Sequence, residues 1–317
     1  MTFSNDLECI LKVSNYLVLS LTFLGSFHGV AYSQTFNAAD PASSGYKLAF
    51  GDDFRNAGSI DFAGSGAPGF KWYTTQFFGG KTTPATCLTV KKGVLTLSGQ
   101  PGDNAGIETA APATNPDGYV GTVFGGGGYF EASIAFDQSS VNTKNGWPSF
   151  WSMAIEHMAE KGKAQWPGQD SGIDRFIEVD FFEDDTSEWA GSNTYGGAVH
   201  DTYGKWTPKD GYSMVSNPNF VIRVPKDTDF SKFHRYGCLI VPSKSAFGGI
   251  GYIQYFFDGL ATSDIVTWVG GKAPALPPPS GDQRFAITDD DHLNVILGCG
   301  GGQKMEVQYV HVWQAPQ

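Results

Sequence analysis

Phe176-Ile177-Glu178-Val179-Asp180-Phe181-Phe182-Glu183 is the stretch on which the reading of this chain turns. Three acids in six residues interrupt an otherwise apolar run. Alternation with period two makes it a strand, with Glu178 and Asp180 on one face and Ile177, Val179 and Phe181 on the other. Continued regular pleating sends Glu183 to the apolar face. A one-residue β-bulge at Phe181-Phe182 returns it to the side of Glu178 and Asp180. The two outer Cα atoms then lie about 13 Å apart, roughly four strand rises.

Side chains leaning inward on a curved sheet can bring those two carboxyls to about 5–5.5 Å, the separation used in retaining glycoside hydrolysis. Three carboxyls this close cannot all ionise cheaply. One keeps a proton near neutral pH and can serve as general acid, while another stays charged and can attack a sugar carbon. Asp180, between them, can share a proton with the attacking group. The pattern alone also fits a solvated acidic strand edge or a cation site.

Working outward, short alternating segments recur between Gly, Asn, Asp and Pro clusters. Strands are expected at Cys87–Leu97, Tyr129–Phe136, Phe176–Glu183, Tyr236–Val241, Gly251–Phe257, Asn294–Leu297 and Met305–Trp313. The longest expected helix is Ser152–Lys163. The 317 residues are 41% hydrophobic, 14% aromatic and only 17% charged, with 41 glycines. That composition excludes a disordered chain or a coiled coil and suits an all-β protein with many turns. Two stacked antiparallel sheets are the natural way to bury such strands. The net charge of −11 argues against nucleic acid or an anionic membrane as partner, since both need a basic footprint.

Residues 1–33 have the layout of a signal peptide: Lys12, an apolar run from Tyr16 to Phe27 too short to span a bilayer, and the small-residue site Ala31-Tyr32-Ser33. A secreted (extracellular or periplasmic), soluble, monomeric product is expected, with residues 34–317 forming one β domain. Cys9 leaves with the leader. Cys87, Cys238 and Cys299 remain, an odd number that allows at most one disulfide. No cysteine spacing suggests a metal site, and no cofactor is implied. Asp52-Asp53 and Asp289-Asp290-Asp291 could bind calcium, though solvated turns are the expected reading.

Ile177-Glu178-Val179-Asp180-Phe181-Phe182-Glu183 resembles the signature of glycoside hydrolase family 16, in the bulged form seen in laminarinases, agarases and carrageenases. Other segments agree in order. Gly146-Trp147-Pro148-Ser149-Phe150-Trp151 is similar to the family's Trp-Pro-Ala-Phe-Trp segment. Gly128–Ile134 resembles its strand leading to the cleft, and Phe233–Gly237 with Tyr255–Gly259 its paired strands after the site. Val307–Gln314 resembles its closing strand, where Gln308 stands in place of a calcium-binding Asp. The likeness spans about residues 48–314.

The resemblance implies a concanavalin-like jelly-roll β-sandwich with a concave glycan cleft. It implies that Glu178 is the nucleophile, Glu183 the acid/base and Asp180 the assisting carboxylate; spacing alone could not say which Glu does which. It implies that Trp151 stacks near the cleaved bond, Trp147 one subsite away, and that His200 points into the cleft. Trp189, Tyr195, Tyr203 and Trp206 could form one cleft wall. His157, His234, His292 and His311 are read as structural. The expected activity is a secreted endo-β-glycosidase on β-1,3- or mixed-linkage β-glucan. A galactan hydrolase on agarose or carrageenan, a transglycosylase, and a non-catalytic lectin on the same sandwich are the alternatives.

Overall fold

Two sheets, antiparallel except where Ile60–Asp61 runs parallel to Trp72–Tyr73, stack their apolar faces, as the alternating pattern predicts. The computed structural model describes residues 36–76, 81–100, 104–113, 118–141, 147–155, 174–184, 193–207, 211–243, 249–269 and 291–315, with backbone alone at 174–175, 203–207, 211–220 and 268–269. Among the described residues, the sheet that carries the acids has eight strands. In spatial order they are Gly211–Arg223, Thr194–Thr207, Asp174–Glu183, Ser149–Ala154, Leu293–Cys299, Ala105–Glu108, Trp72–Tyr73 and Ile60–Asp61. The facing sheet runs Leu260–Ala261, Ile250–Phe257, His234–Val241, Gly128–Phe136, Lys304–Gln314, Val94–Ser98 and Leu88–Lys91. Lys47–Asp52 also pairs with Lys304–Gln314, and Val266–Val269 with Ile250–Phe257.

Gly128–Phe136 sits centrally in the facing sheet and is buried along its whole length. Phe130, Ala132, Ile134 and Phe136 enter the core between the sheets. Tyr129 points the other way and is covered by Phe36, at 4.9 Å between ring centroids. Phe256 lies in the same covering cluster. That outer face also carries Glu131 and Ser133, and both are satisfied: the Tyr129 and Tyr309 hydroxyls donate to Glu131 at 2.8 and 2.9 Å, and Ser133 donates to Gln308 at 3.1 Å.

The stretch Cys87–Leu97 is a hairpin, not one strand: Leu88–Lys91 turns into Val94–Ser98. Lys92 and Gly93 both take the left-handed conformation, with φ of 54° and 74°. That two-residue turn matches the twist of the flanking strands. The expected helix at Ser152–Lys163 is also corrected. Ser152–Ala154 belongs to the strand Ser149–Ala154, which pairs on both sides with Asp174–Glu183 and Leu293–Cys299. Two ladders of hydrogen bonds override a local helical preference. Residues 156–163 lie outside the described residues, as do residues 1–33 and Trp189.

Cys87, Cys238 and Cys299 are buried free thiols. Burial pushes Cys238 well above the ordinary thiol range and Cys299 up to about 11, so both stay protonated and inert. Among the described residues no helix is long and apolar enough to cross a membrane.

One glycine next to the acidic strand is fixed by packing. A Cβ at Gly197 would lie 2.6 Å from Cε1 of Tyr255 and 2.9 Å from Cδ1 of Ile222. Tyr255 is wholly buried, and its hydroxyl donates to the Ala198 carbonyl at 3.2 Å. Gly197→Ala is therefore expected to destabilise the fold by about 1–3 kcal/mol, read as a lower midpoint in urea unfolding. An unchanged midpoint would show that the Tyr255 ring has room to move.

Candidate active site

The bulge in the acidic strand is present, and its register is explicit. Against Ser149–Ala154, Asp180 faces Trp151 while Phe182 faces Phe150, so Phe181 has no opposite number. On the other side Asp180 faces Ala198 and Glu183 faces Gly196, leaving Gly197 opposite two phenylalanines. Consecutive side chains normally point to opposite faces. Here both rings are fully buried in the core. Phe181 stacks on Phe130 at 4.7 Å and packs against Phe150 at 4.8 Å. Phe182 packs on Tyr236 at 4.1 Å and on Phe136 and Tyr195, each at 5.5 Å. With two rings spent on one face, Glu183 returns to the face of Glu178 and Asp180.

Residues directly opposite one another in antiparallel strands share a face, so the site can be read as three rungs across the sheet. The first is His200, Glu178, Met153 and Asn294. The second is Ala198, Asp180, Trp151, Ile296 and Glu108. The third is Gly196, Glu183, Ser149, Gly298 and Gly106. All three open into a pocket of about 260 Å³ whose lining includes Glu178, Glu183, Trp147, Trp151 and Ser149. In the third rung the absence of side chains at Gly298 and Gly106 leaves a low floor. A Cβ at Gly106 would strike Nε2 of Gln76 at 2.6 Å, so the Gln76 amide lies over that floor.

The three acids occupy different environments. Asp180 is 1% exposed, whereas Glu178 and Glu183 reach the pocket. Nε2 of His200 approaches Oδ2 of Asp180 at 2.8 Å. That approach is close but lies off the ring N–H axis, and neither Asp180 oxygen gains a well-directed hydrogen bond among the described residues. At that distance imidazole and carboxyl are in contact. Trp147 donates its indole N–H to Oε1 of Glu183 at 2.9 Å. Thus Trp147 and His200, expected at the sugar, each also touch one of the acids.

Burial pushes Glu178 up to about 8, helped by the charges of Asp180 and Glu183 and opposed by His200. Burial pushes Asp180 up as well. The two carboxyls lie on one face two residues apart, and charge on Asp180 adds to the cost of charging Glu178. A carboxyl whose folded value is raised binds more protons folded than unfolded over the window between the two values. Its contribution therefore makes the protein lose stability as pH rises from about 4.5 towards 8. The melting temperature of the wild type relative to Glu178→Gln should fall across this window. A difference that is flat or of the opposite sign would mean that Glu178 is more solvated than its position indicates.

Other residues sort as follows. Trp151 is half-buried against the core and lines the pocket. Tyr195, a candidate for the cleft wall, is fully buried between the sheets against Phe182 and Tyr236; the pleat puts it on the face opposite Gly196. Tyr203 and Trp206 are described by backbone alone, on the strand Thr194–Thr207. Of the histidines read as structural, His234 pairs with Asp258 at 2.8 Å and His311 stacks on Tyr309. Asp52 is taken up structurally, accepting from the Phe54 N–H and the Trp72 indole. Gln308 accepts from Ser133 at 3.1 Å. Asp289 and Asp290 lie outside the described residues. Glu178, Asp180 and His200 have ligand atoms within 4.8 Å of one another, a set that could hold a cation.

A fourth carboxyl was not read from the sequence. Glu108 lines the pocket and accepts from Nδ2 of Asn294 at 2.6 Å. Oδ1 of Asn294 accepts in turn from the Ala110 N–H at 2.9 Å and the Thr109 hydroxyl at 3.2 Å. The two partners are 186 residues apart in the chain, and no local pattern joins them.

No protein-family model and no curated protein sequence matches the chain. Among solved structures it is similar to an endo-1,3-beta-glucanase from Streptomyces sioyaensis, 18% identical, covering 86% of this chain and 98% of that one with a TM-score of 0.48. It is similar to the kappa-carrageenase from Pseudoalteromonas carrageenovora in complex with an oligotetrasaccharide of kappa-carrageenan, 14% identical, covering 84% and 94%, with a TM-score of 0.49. It is similar also to a pseudo beta-1,3-glucanase of Mycobacterium tuberculosis, 18% identical, covering 85% and 99%, with a TM-score of 0.43.

Proposed function

We propose that this chain is a secreted, retaining endo-β-glycosidase of the glycoside hydrolase family 16 type, acting on a β-1,3- or mixed-linkage β-glucan. The single observation that carries the reading is the bulge, which aligns Glu178, Asp180 and Glu183 on one pocket face beside Trp151. A pyranose ring has an apolar face that packs on an indole, while its hydroxyls seek polar partners such as Gln76 and Glu108.

In this reading Glu178 attacks the anomeric carbon as Glu183 protonates the departing glycosidic oxygen. Glu183 then removes a proton from water, and that water displaces Glu178 from the sugar. Two inversions retain the β configuration. Asp180, the most deeply buried of the three, holds the shared proton and leaves the charge on Glu178, where attack needs it. The lining supports a neutral chain over a sulfated one: it holds Glu108, Glu178 and Glu183, and no Lys or Arg among the described residues.

The test is a panel of laminarin, mixed-linkage glucan, agarose and carrageenan. New reducing ends from the glucans are expected, with the β anomer appearing first in proton NMR. Cleavage of the galactans alone would move the proposal to the alternative substrate. Binding without cleavage across the panel would favour a lectin.

A further inference from the structure

We infer that Trp147 is a positioning residue for the proton-transferring acid: its indole N–H holds one oxygen of Glu183 and sets how readily that carboxyl takes up a proton. The inference rests on the proposed role of Glu183. It differs from a sugar-platform role for Trp147, which needs only the ring face.

The geometry is specific. The indole nitrogen can only donate, so its 2.9 Å bond to Oε1 favours the charged carboxylate over the neutral acid. The donor is also tied to the acid's own strand. The Asp184 N–H donates to the Pro148 carbonyl at 3.1 Å, and Ser149 lies opposite Glu183 in the ladder. Pro148 and Ser149 are buried. Asp184 is in turn held by Nε2 of Gln138 at 2.9 Å. Trp147 therefore enters the site from a segment pinned on both sides of the residue it serves, and indole and carboxylate cannot drift apart independently. A platform one subsite away would not need this clamp.

Two substitutions separate the roles. Trp147→Phe keeps an aromatic face and removes the donor. Carboxyl-labelled NMR should show Glu183 titrating about half to one pH unit higher than in the wild type. Turnover on glycan should drop about tenfold with KM changed less than threefold. An aryl glycoside whose leaving group departs without protonation should be cleaved in its first step at nearly the wild-type rate. A raised KM with an unmoved titration would overturn the inference and make Trp147 a platform only. Should Trp147→Phe fail to fold, the wild type still decides: the Trp147 indole proton resonance should follow the Glu183 titration and cease to do so in Glu183→Gln. An indole resonance indifferent to that substitution overturns the inference. Both NMR arms work even if no glycan is cleaved, so they fail separately from the proposed activity.

Discussion

Glu178→Gln is expected to lower glycan turnover by about four orders of magnitude or more, while oligosaccharide affinity stays within a few-fold of wild type. The amide has the shape of the carboxyl and the same reach into the pocket, but it cannot form a stable glycosyl ester. Binding should survive because in the proposed reading the sugar packs on the Trp151 face over the low floor at Gly298 and Gly106, with no need of the Glu178 charge. The substitution should also not unfold the protein. Burial and the neighbouring Asp180 already oppose charge on Glu178, so a neutral isostere removes a conflict and stabilises the fold at pH 8 relative to wild type. Reducing-end assays, affinity electrophoresis and melting curves read the three outcomes separately. Activity within a hundredfold of wild type would remove Glu178 as the attacking group. Lost binding in a folded variant would mean that its charge is part of sugar recognition.

What the sequence made legible follows a physical division. A strand's side-chain period is local, so Glu178 and Asp180 on one face could be read from spacing, and the Phe181-Phe182 pair signalled where the pleat must break. Trp151 was expected from the family resemblance alone, since no strand was read at Ser149–Ala154. Contacts that depend on strand order were not legible. Glu108 meets Asn294 only because their strands lie side by side in the sheet, and nothing within either segment records that. Tyr195 was misplaced because aromatic content says nothing of which face a residue takes. Ser152–Ala154 was misread as helical because two flanking ladders, invisible from the segment itself, decide its conformation. The Trp147 donor bond sits between these cases: the residue was conspicuous, but its partner atom depends on where the bulge finally aims Glu183.

Inserting one alanine between Phe182 and Glu183 is expected to abolish activity outright, whereas Phe181→Ala should spare most of it in the molecules that fold. Phe181→Ala removes a ring packed against Phe130 and Phe150, a loss of about 3–5 kcal/mol. It leaves the residue count unchanged, so two residues still lie opposite Gly197, the bulge persists and Glu183 still faces the pocket. Thermal stability falls, but turnover per folded molecule should remain within about tenfold of wild type. The insertion keeps both rings and changes the count. With Phe181 and Phe182 still directed inward, the added alanine takes the pocket side and Glu183 turns towards the core, or the strand slips by one and Glu178 and Asp180 turn inward instead. Either arrangement buries an unpaired carboxylate, which costs several kcal/mol or forces it to stay protonated. Deleting Phe181, by contrast, should keep the three acids on one face, because plain alternation over Val179, Asp180 and Phe182 brings Glu183 back to the pocket side. For the insertion, turnover should drop by about four orders of magnitude or more, measured at a temperature where circular dichroism shows a folded β spectrum. An insertion variant that folds and still cleaves glycan at the rate of Phe181→Ala would show that the acids are aimed by something other than the bulge.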